Sequence, residues 1–141
     1  MQNKVEIMAP AGSFESLVAA IKARADSVYF GIEKLNMRAG SANNFRLEDL
    51  NKIVSICKKN KVKCYLTLNI IMYDQDLDLM QKICDKAKKE NVDAVIASDM
   101  SVIEYANSIG LSVHGSTQLN ITNIEAVKFY SKYIDAIVLA R

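Results

Sequence analysis

The chain has 141 residues, half of them hydrophobic and 24% charged, a composition that suits one globular domain and excludes a disordered chain. Eighteen basic residues against sixteen acidic ones leave a net charge of +2, which gives no electrostatic support for nucleic acid or an acidic membrane surface as partner. No apolar run approaches the roughly 18 residues of a membrane span, and "MQNKVEI" lacks the apolar centre of a signal peptide; a cytoplasmic protein without a membrane partner is expected.

The apolar run at residues 5–8 reads as a first strand. The single proline follows in "APAG", where Pro10 stiffens a turn and Gly12 permits close backbone approach. Residues 14–24 read as a helix with Leu17, Val18, Ala20 and Ile21 on one face. Ser13 suits its N-cap, and Glu15 lies near the positive end of its dipole. "SVYF" (27–30) is a second strand. Residues 31–46, "GIEKLNMRAGSANNFR", show no clear period, and long loops in compact domains tend to be functional.

Residues 47–60 read as a second helix, with Leu50, Ile53, Val54 and Cys57 at three- and four-residue spacing. "VKCYLTL" (62–68) is a third strand. Asp74 suits the cap of a third helix over 75–90, whose stripe is Leu77, Met80, Ile83, Cys84 and Ala87. "DAVIA" (93–97) is a fourth strand. Ser101 and Glu104 have capping-box spacing for a helix ending near Gly110. "LSVHG" (111–115) is a fifth strand. Thr122 and Glu125 repeat the capping-box spacing for a helix to about Lys132, and "DAIVLA" (135–140) is a sixth strand. Cys57, Cys64 and Cys84 have neither C-x-x-C nor metal-finger spacing and are expected as buried thiols.

Strands alternating with helices imply right-handed βαβ units and a parallel sheet. An open doubly wound sheet competes with a (β/α) barrel, which needs eight strands and about 200 residues. No G-x-G-x-x-G follows the first strand, so a dinucleotide fold has no positive support. A last strand without a neighbour leaves an open apolar edge. The preferred reading is therefore α/β: a partial, TIM-like (β/α) barrel of about six strands, truncated after the sixth. The open edge predicts a homo-oligomer.

In such architectures the site lies at the carboxyl ends of the strands. Pro10 and Gly12 form either a ligand-facing turn, with helix-start amides for an anion, or a stiff connection. Arg38 suits a carboxylate or phosphate, or is a surface arginine. Asn69 follows the third strand and Asp99 the fourth; each suits a site group, and Asp99 equally a cap. His114, Ser116, Thr117, Gln118 and Asn120 form the densest polar run. His114, the sole histidine, suits a general base or a satisfied interior histidine. His114 and Ser116 share a strand side while Thr117 does not. Lys58, Lys59, Lys61 and Lys63 fall at the opposite end, where the helix dipole explains them.

"MAPAGSFESLVAAIKARADSVYFG" (8–31) resembles the N-terminal start of the collagenase-like peptidase family, whose mechanism is unassigned. "MRAGSANNF" (37–45), "YLTLNIIMYDQDL" (65–77), "DAVIASDMSVI" (93–103), "VHGSTQLNITN" (113–123) and "IVLAR" (137–141) resemble further family segments in the same order. The resemblance implies a (β/α) barrel, a chain that is the N-terminal part of a longer protein, and peptide-bond hydrolysis by that protein, with this part alone inactive. The strand-end positions, not the resemblance, give His114, Asn69 and Asp99 as catalytic candidates, and Pro10, Gly12, Arg38, Ser116, Gln118 and Asn120 around a peptide or small-molecule substrate. Some relatives use clustered cysteines to hold an iron–sulfur centre and hydroxylate RNA bases or quinone precursors. Cys57, Cys64 and Cys84 do not match that cluster, so no metal residues are assigned and the cofactor stays open. A non-catalytic ligand-binding barrel is the third reading.

Overall fold

The structure, a computed structural model, describes residues 5–37 and 45–140; Arg38 lies outside the described residues. Among the described residues six strands, β1 (Met8–Pro10), β2 (Ser27–Gly31), β3 (Lys63–Leu68), β4 (Ala94–Ala97), β5 (Val113–Gly115) and β6 (Ala136–Ile137), alternate with five α-helices. The helices are α1 (Phe14–Lys22), α2 (Leu50–Lys59), α3 (Leu77–Glu90), α4 (Met100–Ser108) and α5 (Ile124–Tyr130). The strands lie in one sheet in sequence order, and every pair is parallel.

That order decides between the two architectures. A doubly wound sheet reverses its strand order at a switch point. Here nothing reverses, so right-handed crossovers keep all helices on one side and the sheet curls into a half-barrel. Burial agrees. Val28, Phe30, Cys64, Leu66, Leu68, Val95, Ala97 and Val113 pack with Leu17, Ile53, Cys57, Ile83, Cys84 and Ile103 in one helix–sheet core. The alternate strand residues face the concave side, where Tyr65, Ala94 and Ile96 pack with Tyr29 and no helix residue joins them.

The turns into the strands repeat one design. Arg24, Lys61, Asn91 and Gly110 close α1 to α4 with φ between 57° and 67°, and a buried apolar residue follows each: Ala25, Val62, Val92 and Leu111. Before each even strand stands an aspartate that clamps the preceding odd strand, or the residue just before it, with two bonds. Asp26 donates its N–H to Ile7 O (2.8 Å) and accepts from Ile7 N (3.0 Å). Asp93 does the same with Cys64 (3.1 and 2.8 Å), and Asp135 with Val113 (2.8 and 3.0 Å).

Several boundaries differ from the sequence reading. The first strand is Met8–Pro10, so Pro10 ends a strand instead of opening a turn. β1 is an edge strand whose Ala11 N–H bonds Tyr29 O at 2.9 Å. By alternation the Pro10 nitrogen faces away from β2, where no ladder bond is lost. Asp99, not Ser101, caps α4, and Asn123, not Thr122, caps α5. A 3-10 turn at Asp74–Asp76 precedes α3, and the sixth strand is shorter than the apolar run that suggested it.

Candidate functional site on the concave face

The parallel order brings every carboxyl strand end to one rim, and the concave face below it carries the polar groups. Gly31, Thr67, Ile96 and His114 are register partners across β2 to β5. His114 is half-buried. Its ring lies 4.8 Å from that of Tyr65, tilted by 55°. The two rings come from β3 and β5, and the small Ala94 of β4 lets them meet across it. Burial pulls the imidazole below its ordinary titration range, more strongly than the carboxylates of Asp135 and Glu6 pull it up, and Lys63 adds to the lowering. The ring is therefore neutral at pH 7.

Below the two rings, toward the amino ends of the strands, Glu6 ties β1 to β3. Its carboxylate accepts from Lys63 Nζ at 2.6 Å and from the Tyr65 hydroxyl at 2.8 Å. The ammonium bond leads in holding the Glu6 carboxyl down to about 2. Burial and then the bond to Glu6 push the Tyr65 phenol up. Lys63, one of four basic residues read from sequence as a group, is exposed like Lys58, Lys59 and Lys61 around the end of α2, but pairs with Glu6 on the concave side.

At the rim, Asn69 accepts from Met37 N at 3.2 Å and so fastens the connection after β2 to the end of β3. Asn36, which the sequence reading passed over, is buried and fills the space above Gly31. A Cβ on Gly31 would stand 2.3 Å from the Asn36 side chain, so only glycine admits it. Asn36 Nδ2 donates to Ile32 O and Glu33 O at 3.2 and 3.3 Å.

Asp99 caps α4 through Ser101 N (2.9 Å) and Ser101 Oγ (2.7 Å), and its other oxygen accepts from Met72 N at 3.0 Å. Burial raises this carboxyl, but those bonds outweigh it and leave the group below the usual carboxylate range. Ser116 is buried and extends the ladder through its N–H to Ala97 O at 2.8 Å. Its hydroxyl accepts from Gln118 N at 3.3 Å. Gln118 and Asn120 are exposed, and Asn120 has φ of 53°.

The start of α1 is occupied by its own residues. Gly12 N and Ser13 N both donate to Ser16 Oγ, at 3.0 and 2.9 Å, and Ser16 N donates to Ser13 Oγ at 3.2 Å. Pro10 is exposed beside this turn.

The three cysteines are buried in the helix–sheet core. Cys84 is pushed up to about 12 by burial, and Cys64 is raised by its hydrogen bond with Cys57 and then by burial. They face away from the concave surface, so they do not fit as thiolate ligands of an iron–sulfur centre there. Among the described residues no group of three His, Cys, Asp or Glu is arranged to hold a metal ion. No helix among them is long and apolar enough to cross a membrane.

The model for Peptidase family U32 matches residues 12–141. Over 139 residues the chain is 61% identical to a collagenase of Porphyromonas gingivalis, covering 99% of this chain and 34% of that protein. It is 33% identical over 142 residues to tRNA hydroxylation protein P1 of Bacillus subtilis, covering 99% of this chain and 33% of the relative. The chain thus spans about a third of the length of these curated relatives. A solved U32 peptidase superposes with a TM-score of 0.78 at 14% identity, over 99% of this chain and 60% of that one.

Proposed function

This chain belongs to peptidase family U32, and from that premise we propose that it supplies the substrate-facing face of a protein that hydrolyses peptide bonds. The observation that carries this reading is the 61% identity, over 99% of the chain, to a protein named collagenase. The concave face supports it with chemistry. The neutral His114 imidazole takes a proton from water, the resulting hydroxide adds to the peptide carbonyl, and the same proton passes to the leaving amine as the C–N bond breaks. Asp99, bonded by Ser101 and Met72, ties the connection after β3 to the start of α4.

A second reading, hydroxylation of tRNA, is favoured by the Bacillus subtilis relative, which matches the chain equally far along its length. The full-length product of the gene separates the two. Incubated with labelled gelatin and a labelled peptide, it is expected to cleave both. His114→Ala is expected to lose about 100-fold or more of kcat with its thermal midpoint retained. A folded wild-type protein that cleaves neither, while its expression adds a hydroxylated base to tRNA, would give the second reading.

A further inference from the structure

We infer that Asn69 is an oriented hydrogen-bond donor for a backbone carbonyl of an extended peptide. The choice of ligand rests on the peptidase reading; the geometry does not. Lys63, Tyr65 and Thr67 alternate onto the concave side of β3, and Asn69 continues that alternation at the rim. Its Oδ1 is committed to Met37 N at 3.2 Å. The amide is planar, so Nδ2 is turned away from that bond. Among the described residues Nδ2 meets no acceptor.

Other asparagines use this group. Nδ2 of Asn36 bonds Ile32 O at 3.2 Å, that of Asn51 bonds Glu90 at 2.6 Å, and those of Asn60 and Asn107 bond backbone oxygens at 2.8 Å. Asn123 also has only its oxygen engaged, but it caps α5 on the exposed surface. Asn69 is thus held by one end at the rim of a concave face and offers two N–H donors from the other.

The surroundings select the ligand. The strand residues of the concave face carry one cation, Lys63, and Glu6 holds it at 2.6 Å. A phosphate or carboxylate would meet no free positive charge among them. Thr67 spends its hydroxyl on Phe30 O at 3.0 Å and Tyr65 its hydroxyl on Glu6, so beside Asn69 the face presents the half-buried, neutral His114 ring packed on Tyr65, which suits an uncharged peptide backbone better than an ion. An uncharged carbonyl is the acceptor that this donor and these neighbours fit.

The test uses the side-chain amide signals of Asn69 in the full-length protein, assigned by their disappearance in Asn69→Asp. Titration with a blocked, uncleaved tripeptide is expected to shift them. Asn69→Asp keeps an oxygen for Met37 N and removes both donors. It is expected to weaken tripeptide binding by about 10-fold or more while the Met37 amide stays protected from exchange. Unmoved Asn69 signals at saturating tripeptide, or shifts with uridine in place of tripeptide, would overturn the inference. So would an Asn69→Asp protein that binds as wild type while Asn69→Ala does not, because that pattern makes Asn69 a loop tether alone. If Asn69→Asp does not fold, the wild-type titration decides. Binding without cleavage leaves the inference standing and removes the peptidase reading; cleavage with unmoved Asn69 signals does the reverse.

Discussion

Glu6 shows how one side chain fixes a face. It stands two residues before β1 and reaches Lys63 and Tyr65 on β3, spanning β2. Nothing in the spacing of "VEIM" marks it, because its partners lie 57 and 59 residues away. For the same reason the sequence explains Lys63 only through the dipole of the preceding helix and leaves its partner unnamed. The folded-state pKa of Glu6, about 2, lies below its ordinary 4.5. A depressed carboxyl contributes stability above the unfolded value and loses it as pH falls toward the folded one. The contribution is at most about 1 kcal/mol, since the Lys63 side chain is 56% exposed and solvent screens the pair. Urea titrations of wild type and Glu6→Gln are therefore expected to differ at pH 6 and to converge between pH 4.5 and 2. A difference that stays constant over that interval would show that Glu6 is unpaired in the folded protein.

The helices and strands were legible where their apolar periods match the faces they bury: Leu50, Ile53, Val54 and Cys57 on α2 are all buried, as their spacing predicts, whereas Val18, on the same apolar stripe of α1 as Leu17, is exposed. Their ends were harder. Ser101–Glu104 and Thr122–Glu125 both have capping-box spacing, yet Asp99 and Asn123 stand nearer the helix starts and take the amides. A signal for the aspartate clamps was present and unread, in "ADSV", "VDAV" and "IDAI". Each clamp joins an odd strand to the next even one, so the half-barrel is built from three β-α-β units with the same lock at the amino end. Asp93→Ala leaves the buried Cys64 N–H without its carboxylate partner and is expected to cost about 1–2 kcal/mol in chemical denaturation. Asp93→Asn, which keeps an accepting oxygen, is expected to cost less. A change within about 0.5 kcal/mol for the alanine variant, as for an ordinary surface site, would mean that the clamp carries no stability.

At the scale of the whole molecule, in-order parallel strands make one rim and one concave face, and the polar residues after β3, β4 and β5 gather there for that reason. This much followed from the alternation of elements. The approach of Tyr65 to His114 did not, because it depends on the curl of the sheet and on the small side chain of Ala94 between them. Asn36 above Gly31 was hidden likewise: the loop had no period, and the space came from a missing Cβ. The functional reading rests on an imidazole that is half-buried on this face and neutral at pH 7. His114 is the sole histidine, so proton NMR reads its titration without assignment. The expected midpoint is below 6.5 in the folded protein and returns to the ordinary value in urea, with the ring signals moving when peptide is added. A folded-state midpoint at or above 6.5, indifferent to peptide, would contradict a buried, neutral proton acceptor on the concave face.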